Sequence, residues 1–196
     1  TINYVVNSMR NLNLDYTLAV VPSGTANDFA GALRMSSRIK KAVEQIVTGK
    51  ERLVDLGRVN DLYFVNVFSF GMFTTTSQHT PEKIKRHIGK AAYLIEGSKE
   101  LHNREFIPLH VVHDNGEFEV DSMITLIFNG ETAGRFPIAR DASIRDGLLD
   151  CMIMRKCGTF DGAWAAAKLI LLGRENEDII HIRSKKLQIT SPLSPL

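Results

Sequence analysis

Val20-Val21-Pro22-Ser23-Gly24-Thr25-Ala26-Asn27-Asp28-Phe29-Ala30 is the stretch that decides the fold. Residues 17–21 form a short apolar run ending at Pro22, which reads as a buried strand. Ser23-Gly24-Thr25 then makes a turn, and Phe29, Ala30 and Leu33 fall on one helical face. Strand, Gly turn and helix start in that order expose unpaired backbone N–H groups at the turn. The helix dipole adds partial positive charge, a combination that suits a phosphate. Gly24 allows close approach of a ligand and Thr25 offers a hydroxyl. The same residues also read as a capping box, Thr25 with Asp28 three positions on. Asp28 would repel an anion unless a metal lay between them.

Working outward, Ile2, Val5, Val6 and Met9 recur at helical spacing after Thr1, a candidate cap. A second helix carries Ile39, Val43, Ile46 and Val47 and stops at Gly49. Beyond residue 52 strands dominate: 52–59 and 62–70 around Asn60-Asp61, a hairpin at Asp114-Asn115-Gly116, then 123–128, 148–154, 179–183 and 187–190. Helical insertions are expected at 91–101 and 162–172. The resulting division is residues 1–52, an α/β piece, and 53–196, a β-rich piece with helical insertions.

Composition narrows the classes. Twenty-four Lys and Arg face 22 Asp and Glu, a net charge of +2, and 44% of residues are hydrophobic. That balance excludes a disordered tail and a strongly basic nucleic-acid binder. Cys151 and Cys157 form neither a disulfide framework nor zinc-ligand spacing, which favours a reducing cytosol. No apolar run reaches the roughly 18 residues of a membrane span. The six histidines show no metal-ligand spacing. Lys83, Lys85, Arg86, His87 and Lys90 read as a solvated helix face or as a contact with anionic lipid.

Pro22-Ser23-Gly24-Thr25-Ala26-Asn27-Asp28-Phe29-Ala30 closely resembles the P-x-G-T-x-N-D-F-A motif of the diacylglycerol kinase catalytic domain family, relatives of sphingosine and ceramide kinases. Further landmarks follow in order: Thr1-Ile2-Asn3 with Val5-Val6-Asn7, Val54-Asp55-Leu56-Gly57, Phe64-Val65-Asn66-Val67 with Gly71, Lys90-Ala91-Ala92-Tyr93, Asn129-Gly130, and Asp146-Gly147-Leu148-Leu149-Asp150. The resemblance implies a three-layer α/β nucleotide-binding domain followed by an antiparallel β-sandwich. It implies ATP and Mg²⁺ as cofactors, with Thr1, Ile2, Asn3, Gly24, Thr25, Asn27 and Asp28 at the nucleotide. Asp146 is then a ligand to a structural magnesium, with the backbone carbonyls of Ser143 and Leu148; a plain turn is the reading of the same residues without the resemblance.

The family's Gly-Gly-Asp-Gly would precede Thr1, and its Asp-Gly-Glu, source of the general base, would follow Leu196. The expectation is therefore a fragment incompetent on its own, from a kinase that phosphorylates a lipid hydroxyl, diacylglycerol first. Another acceptor, such as phosphatidylglycerol or a sphingoid base, an NAD kinase, and a non-catalytic regulatory module are the alternatives. A lipid substrate at the membrane surface, a homodimer and a cytoplasmic protein visiting the inner membrane surface complete the expectations. Two departures from the family stand out: Ala133-Gly134-Arg135, where relatives often have consecutive glycines, and Arg140, where they often have Pro.

Overall fold

The computed structural model describes residues 1–71, 106–158 and 177–192. The expected helical insertions, the Lys83–Lys90 cluster and Lys90-Ala91-Ala92-Tyr93 lie outside them. Two compact units emerge. The first holds residues 1–68 and 128–149, the second 69–127 and 150–196. The boundary expected at residue 52 runs within the first unit.

In the first unit, α1 (Ile2–Asn11), α2 (Asp28–Ala32) and α3 (Ile39–Thr48) precede a hairpin of β1 (Gly57–Val59) and β2 (Leu62–Phe64), and two short strands, β6 (Thr132–Ala133) and β7 (Phe136–Pro137), pair antiparallel later in the chain. Thr1 occupies the N-cap of α1 but its side chain makes no capping bond, against the sequence reading. Gly49 ends α3 as expected. The core of this unit is Val6, Phe29 and Val65, with Ile2, Val20, Leu33, Val54, Leu56 and Tyr63 packed around them. Burying a side chain of Phe or Val size contributes about 1.5–3 kcal/mol, so these few contacts seat α1 and α2 on the hairpin.

Residues 17–21 belong to no sheet, contrary to the expected strand. A strand is defined by its ladder, and among the described residues none runs beside this segment. Its apolar pattern acts through Val20, which reaches the core. The expected strand 62–70 is likewise split into β2 and β3 (Val67–Gly71). Asn60, at φ 51°, makes the hairpin turn where the sequence placed it.

In the second unit a six-stranded sheet runs in the order β10 (Gln188–Thr190), β4 (Ile107–His113), β5 (Gly116–Phe128), β8 (Leu149–Arg155), β9 (Ile179–Ser184), with β3 also pairing β5. The hairpin at 114–116 forms in the register His113↔Gly116, Val111↔Phe118. The positive φ falls on Gly116, at 150°, and not on Asn115. β5 is one continuous strand of 13 residues, where the sequence reading had two. Leu109 and Val111 are buried at period two on β4, and Met123 on β5 and Cys151 and Ile153 on β8 are buried as well.

Candidate functional site

The turn before α2 is built by its own side chains. Asn27 stands at φ 58°, a left-handed conformation that asparagine tolerates better than most residues. Its side chain spans the turn: the Gly24 N–H donates to Asn27 Oδ1 at 2.8 Å, and Asn27 Nδ2 donates to the Gly24 carbonyl at 2.8 Å. Asn27 is the N-cap of α2 and Asp28 its first residue, so the Thr25–Asp28 capping box does not form. The helix is only five residues long, and its dipole adds little. What the turn offers is donors: the backbone N–H groups of Thr25, Ala26 and Asn27 meet no protein acceptor among the described residues. Thr25 is exposed beside them.

Asp28 is engaged elsewhere. Its carboxylate accepts from Thr132 Oγ1 at 2.9 Å and from the N–H groups of Gly134 and Arg135, each at 2.8 Å. Arg135 Nε returns a bond to the Ala26 carbonyl at 3.2 Å. Asp28 therefore clasps the 132–135 loop to the turn through three accepted bonds. Gly134 and Arg135 sit at φ 60° and 71°. That left-handed pair gives a physical reason for consecutive glycines here. Arg135 adopts the conformation against its Cβ, and the bonds to Asp28 and Ala26 offset the cost.

Thr1, Ile2 and Asn3 start α1. Ile2 packs on the core, and Thr1 is exposed. Asn3 Oδ1 accepts the Val65 N–H at 3.1 Å. Asn7, one helical turn on, accepts from Tyr63 N–H at 2.8 Å and donates to the Tyr63 carbonyl at 2.7 Å. The two asparagines thus satisfy the free edge of β2 as a neighbouring strand would. The sequence quoted Asn7 only as part of a motif, and nothing in its pattern announced this.

The Asp146-Gly147 turn is held by Asp55. The Asp55 N–H donates to the Ile144 carbonyl at 2.7 Å, and Asp55 Oδ2 accepts from the Gly147 N–H at 2.8 Å. Asp146 Oδ1 accepts the Leu148 N–H at 3.1 Å, an Asx turn, and Gly147 takes φ 70°. Two carboxylates thus converge on consecutive N–H groups of one loop that includes Ser143 and Leu148. Among the described residues no group of three or more His, Cys, Asp or Glu is arranged for a metal.

Asn129 and Asn66 bind these strands together. Asn129 Nδ2 donates to the carbonyls of Asp55 and Val65, and its N–H to the Asn66 carbonyl at 2.7 Å. Asn66 Nδ2 donates to the Thr132 carbonyl at 2.7 Å. Among the described residues the buried side-chain oxygens Asn66 Oδ1 and Asn129 Oδ1 meet no hydrogen-bond donor.

A donor-lined turn clasped to a loop, on a helical unit accompanied by a six-stranded sheet, makes an α/β plus all-β protein. Residues 1–59 match the diacylglycerol kinase catalytic domain. The diacylglycerol kinase of Bacillus subtilis (strain 168) is 32% identical over 193 residues, 96% of this chain and 63% of that protein. That of Staphylococcus aureus (strain Newman) is 32% identical over 157 residues, 80% of this chain and 50% of that protein. A crystal structure of a putative diacylglycerol kinase from Bacillus anthracis superposes with a TM-score of 0.79 at 25% identity, over 97% of this chain and 64% of that one. The chain is a relative of the bacterial diacylglycerol kinases, as the ordered motifs implied, and it spans less than two thirds of their length. Its fold class is α/β plus all-β.

Proposed function

We propose that this chain is part of an ATP-dependent lipid kinase that transfers the γ-phosphate of ATP to a lipid hydroxyl, with diacylglycerol as acceptor and phosphatidic acid as product. The observation that carries the reading is the Gly24–Asn27 turn. Three N–H groups there meet no protein acceptor among the described residues, and the Asp28 carboxylate is engaged by the 132–135 loop. Phosphoryl transfer depends on positioning and on spreading the phosphate charge over preorganised donors. Thr25 with the turn would hold the nucleotide phosphates, and Asn27 would keep the donors aimed. The relatives named diacylglycerol kinase support the choice of acceptor.

Magnesium fits the loop at 143–148 in donor type. Asp146 and Asp55 supply carboxylate oxygens, and Ser143 and Leu148 carbonyl oxygens, the all-oxygen set that a hard divalent cation takes. Bound there, the ion would brace the loop. Thr1 and Asn3 serve the nucleotide from the start of α1, with Asn3 Oδ1 committed to Val65. In this reading the lipid is met at the membrane surface; among the described residues no helix is long and apolar enough to cross a membrane.

The test is a transfer assay on the full-length protein with γ-labelled ATP and vesicles of diacylglycerol in phosphatidylcholine. Label in phosphatidic acid is the expected result. Label only in phosphatidylglycerol or sphingosine, supplied in parallel vesicles, would move the acceptor. Label in NAD and in no lipid would overturn the lipid-kinase reading.

A further inference from the structure

The first unit contains a second concavity, of about 240 Å³, that the nucleotide turn does not use. It is lined by the end of α2 (Ala32, Leu33, Arg34), by Arg52 and Val54 ahead of β1, and by the 142–145 segment, with Glu131. Three arginines thus face one glutamate around one hollow. Among the described residues none of the three pairs with a carboxylate; the one side-chain bond they make is from Arg145 Nε to the Leu53 carbonyl, at 3.3 Å. Arg34 is held there at φ 58°, with its carbonyl tied to Gln45 Nε2 at 3.3 Å.

Three like charges brought together from positions 34, 52 and 145 repel one another, and a concave surface concentrates their field. Guanidinium forks match the oxygens of phosphate in a bidentate manner. The volume falls below the roughly 300 Å³ at which pockets for drug-sized ligands begin, so a phosphate fits and a whole nucleotide does not. Ser143 belongs to the same lining. We propose that Arg34, Arg52 and Arg145 form a binding site for a phosphate monoester group, distinct from the Gly24–Asn27 turn. A free phosphate and a lipid phosphomonoester headgroup share this chemistry.

Two probes separate the sources, both used on the full chain in EDTA so that metal-bridged binding does not contribute. Inorganic phosphate is titrated by equilibrium dialysis, and vesicles of phosphatidylcholine with phosphatidate are tested by co-sedimentation. The variant carries Arg34→Asn, which tolerates the left-handed backbone, together with Arg52→Gln. Saturable phosphate binding that weakens at least tenfold in the variant supports the site. Vesicle binding lost in parallel assigns it to the headgroup, and phosphate binding without vesicle binding assigns it to a soluble ester. Either single substitution, at an exposed position, reads the same loss should the double variant not fold. Absence of saturable binding with both probes, or equal binding by wild type and variants, overturns the proposal.

Discussion

The carboxylate of Asp28 and the hydroxyl of Thr132, 104 positions apart in sequence, meet at 2.9 Å. With the N–H groups of Gly134 and Arg135 on the same carboxylate, this contact makes the helix start and the distant loop one structural piece. The turn's unused donors keep their positions because of it. An acidic residue that looked hostile to phosphate is thus a clasp on a distant loop.

Replacing Asp28 with Asn removes a charged acceptor from three bonds. Hydrogen bonds to charged groups are worth about 1.5–3 kcal/mol each, and their losses are not additive within one network. Urea denaturation of Asp28→Asn should show a loss of about 2 kcal/mol, and Thr132→Val about 1. The double variant should fall short of the sum by at least about 0.5 kcal/mol; strict additivity would mean that the clasp is not a unit.

Thr25 is exposed and makes no side-chain bond among the described residues. Thr25→Ala should therefore leave the melting temperature of the full-length protein unchanged and raise its KM for ATP severalfold, as loss of one neutral hydrogen bond of about 1 kcal/mol implies. An unaltered KM would remove Thr25 from the nucleotide site.

For the 143–148 loop the readout is thermal. Magnesium should raise the melting temperature of the wild type, and Asp146→Ala should abolish that rise while costing about 1 kcal/mol through the lost bond to the Leu148 N–H. A magnesium-dependent rise that persists in Asp146→Ala would exclude this aspartate as a ligand.

Gly57 pairs with Phe64 across β1 and β2, and a Cβ at position 57 would enter the Phe64 ring. Phe64 is buried, so it has little room to yield. Gly57→Ala should cost about 1–3 kcal/mol in chemical denaturation, the usual penalty for overpacking. A neutral result would show that the ring can move aside.

Burial pushes the Cys151 thiol up to about 12. At pH 8.5 its alkylation should run on the order of a thousandfold slower than that of an unperturbed thiol, because only the thiolate reacts. The native state favours the neutral thiol more than the unfolded chain does. The associated stability is complete below about pH 8.5 and is lost as pH rises from there towards 12. Fast modification of Cys151 in the folded protein, read by peptide mass spectrometry, would contradict its burial.

Much of the local structure is legible in the sequence. The 3.6-residue spacing of Ile2, Val5, Val6 and Met9 placed α1, Gly49 marked the end of α3, and Asp114-Asn115-Gly116 placed the β4–β5 hairpin. These features depend on neighbours a few positions away. Residues 17–21 show the limit: their composition is that of a strand, but a ladder needs a partner that composition does not specify.

By itself the sequence determined which segments turn, cap and alternate, and through its ordered motifs the kinase family to which this chain is related. Only the tertiary structure decided what the motif residues do. Asp28 became a clasp, Asn3 and Asn7 a substitute strand edge, and Arg34, Arg52 and Arg145 the walls of one hollow. The physical reason is that backbone propensity is set by near neighbours along the chain. Hydrogen-bond partners and electrostatic fields are set by distance in space, and here the deciding pairs lie from tens to more than a hundred residues apart.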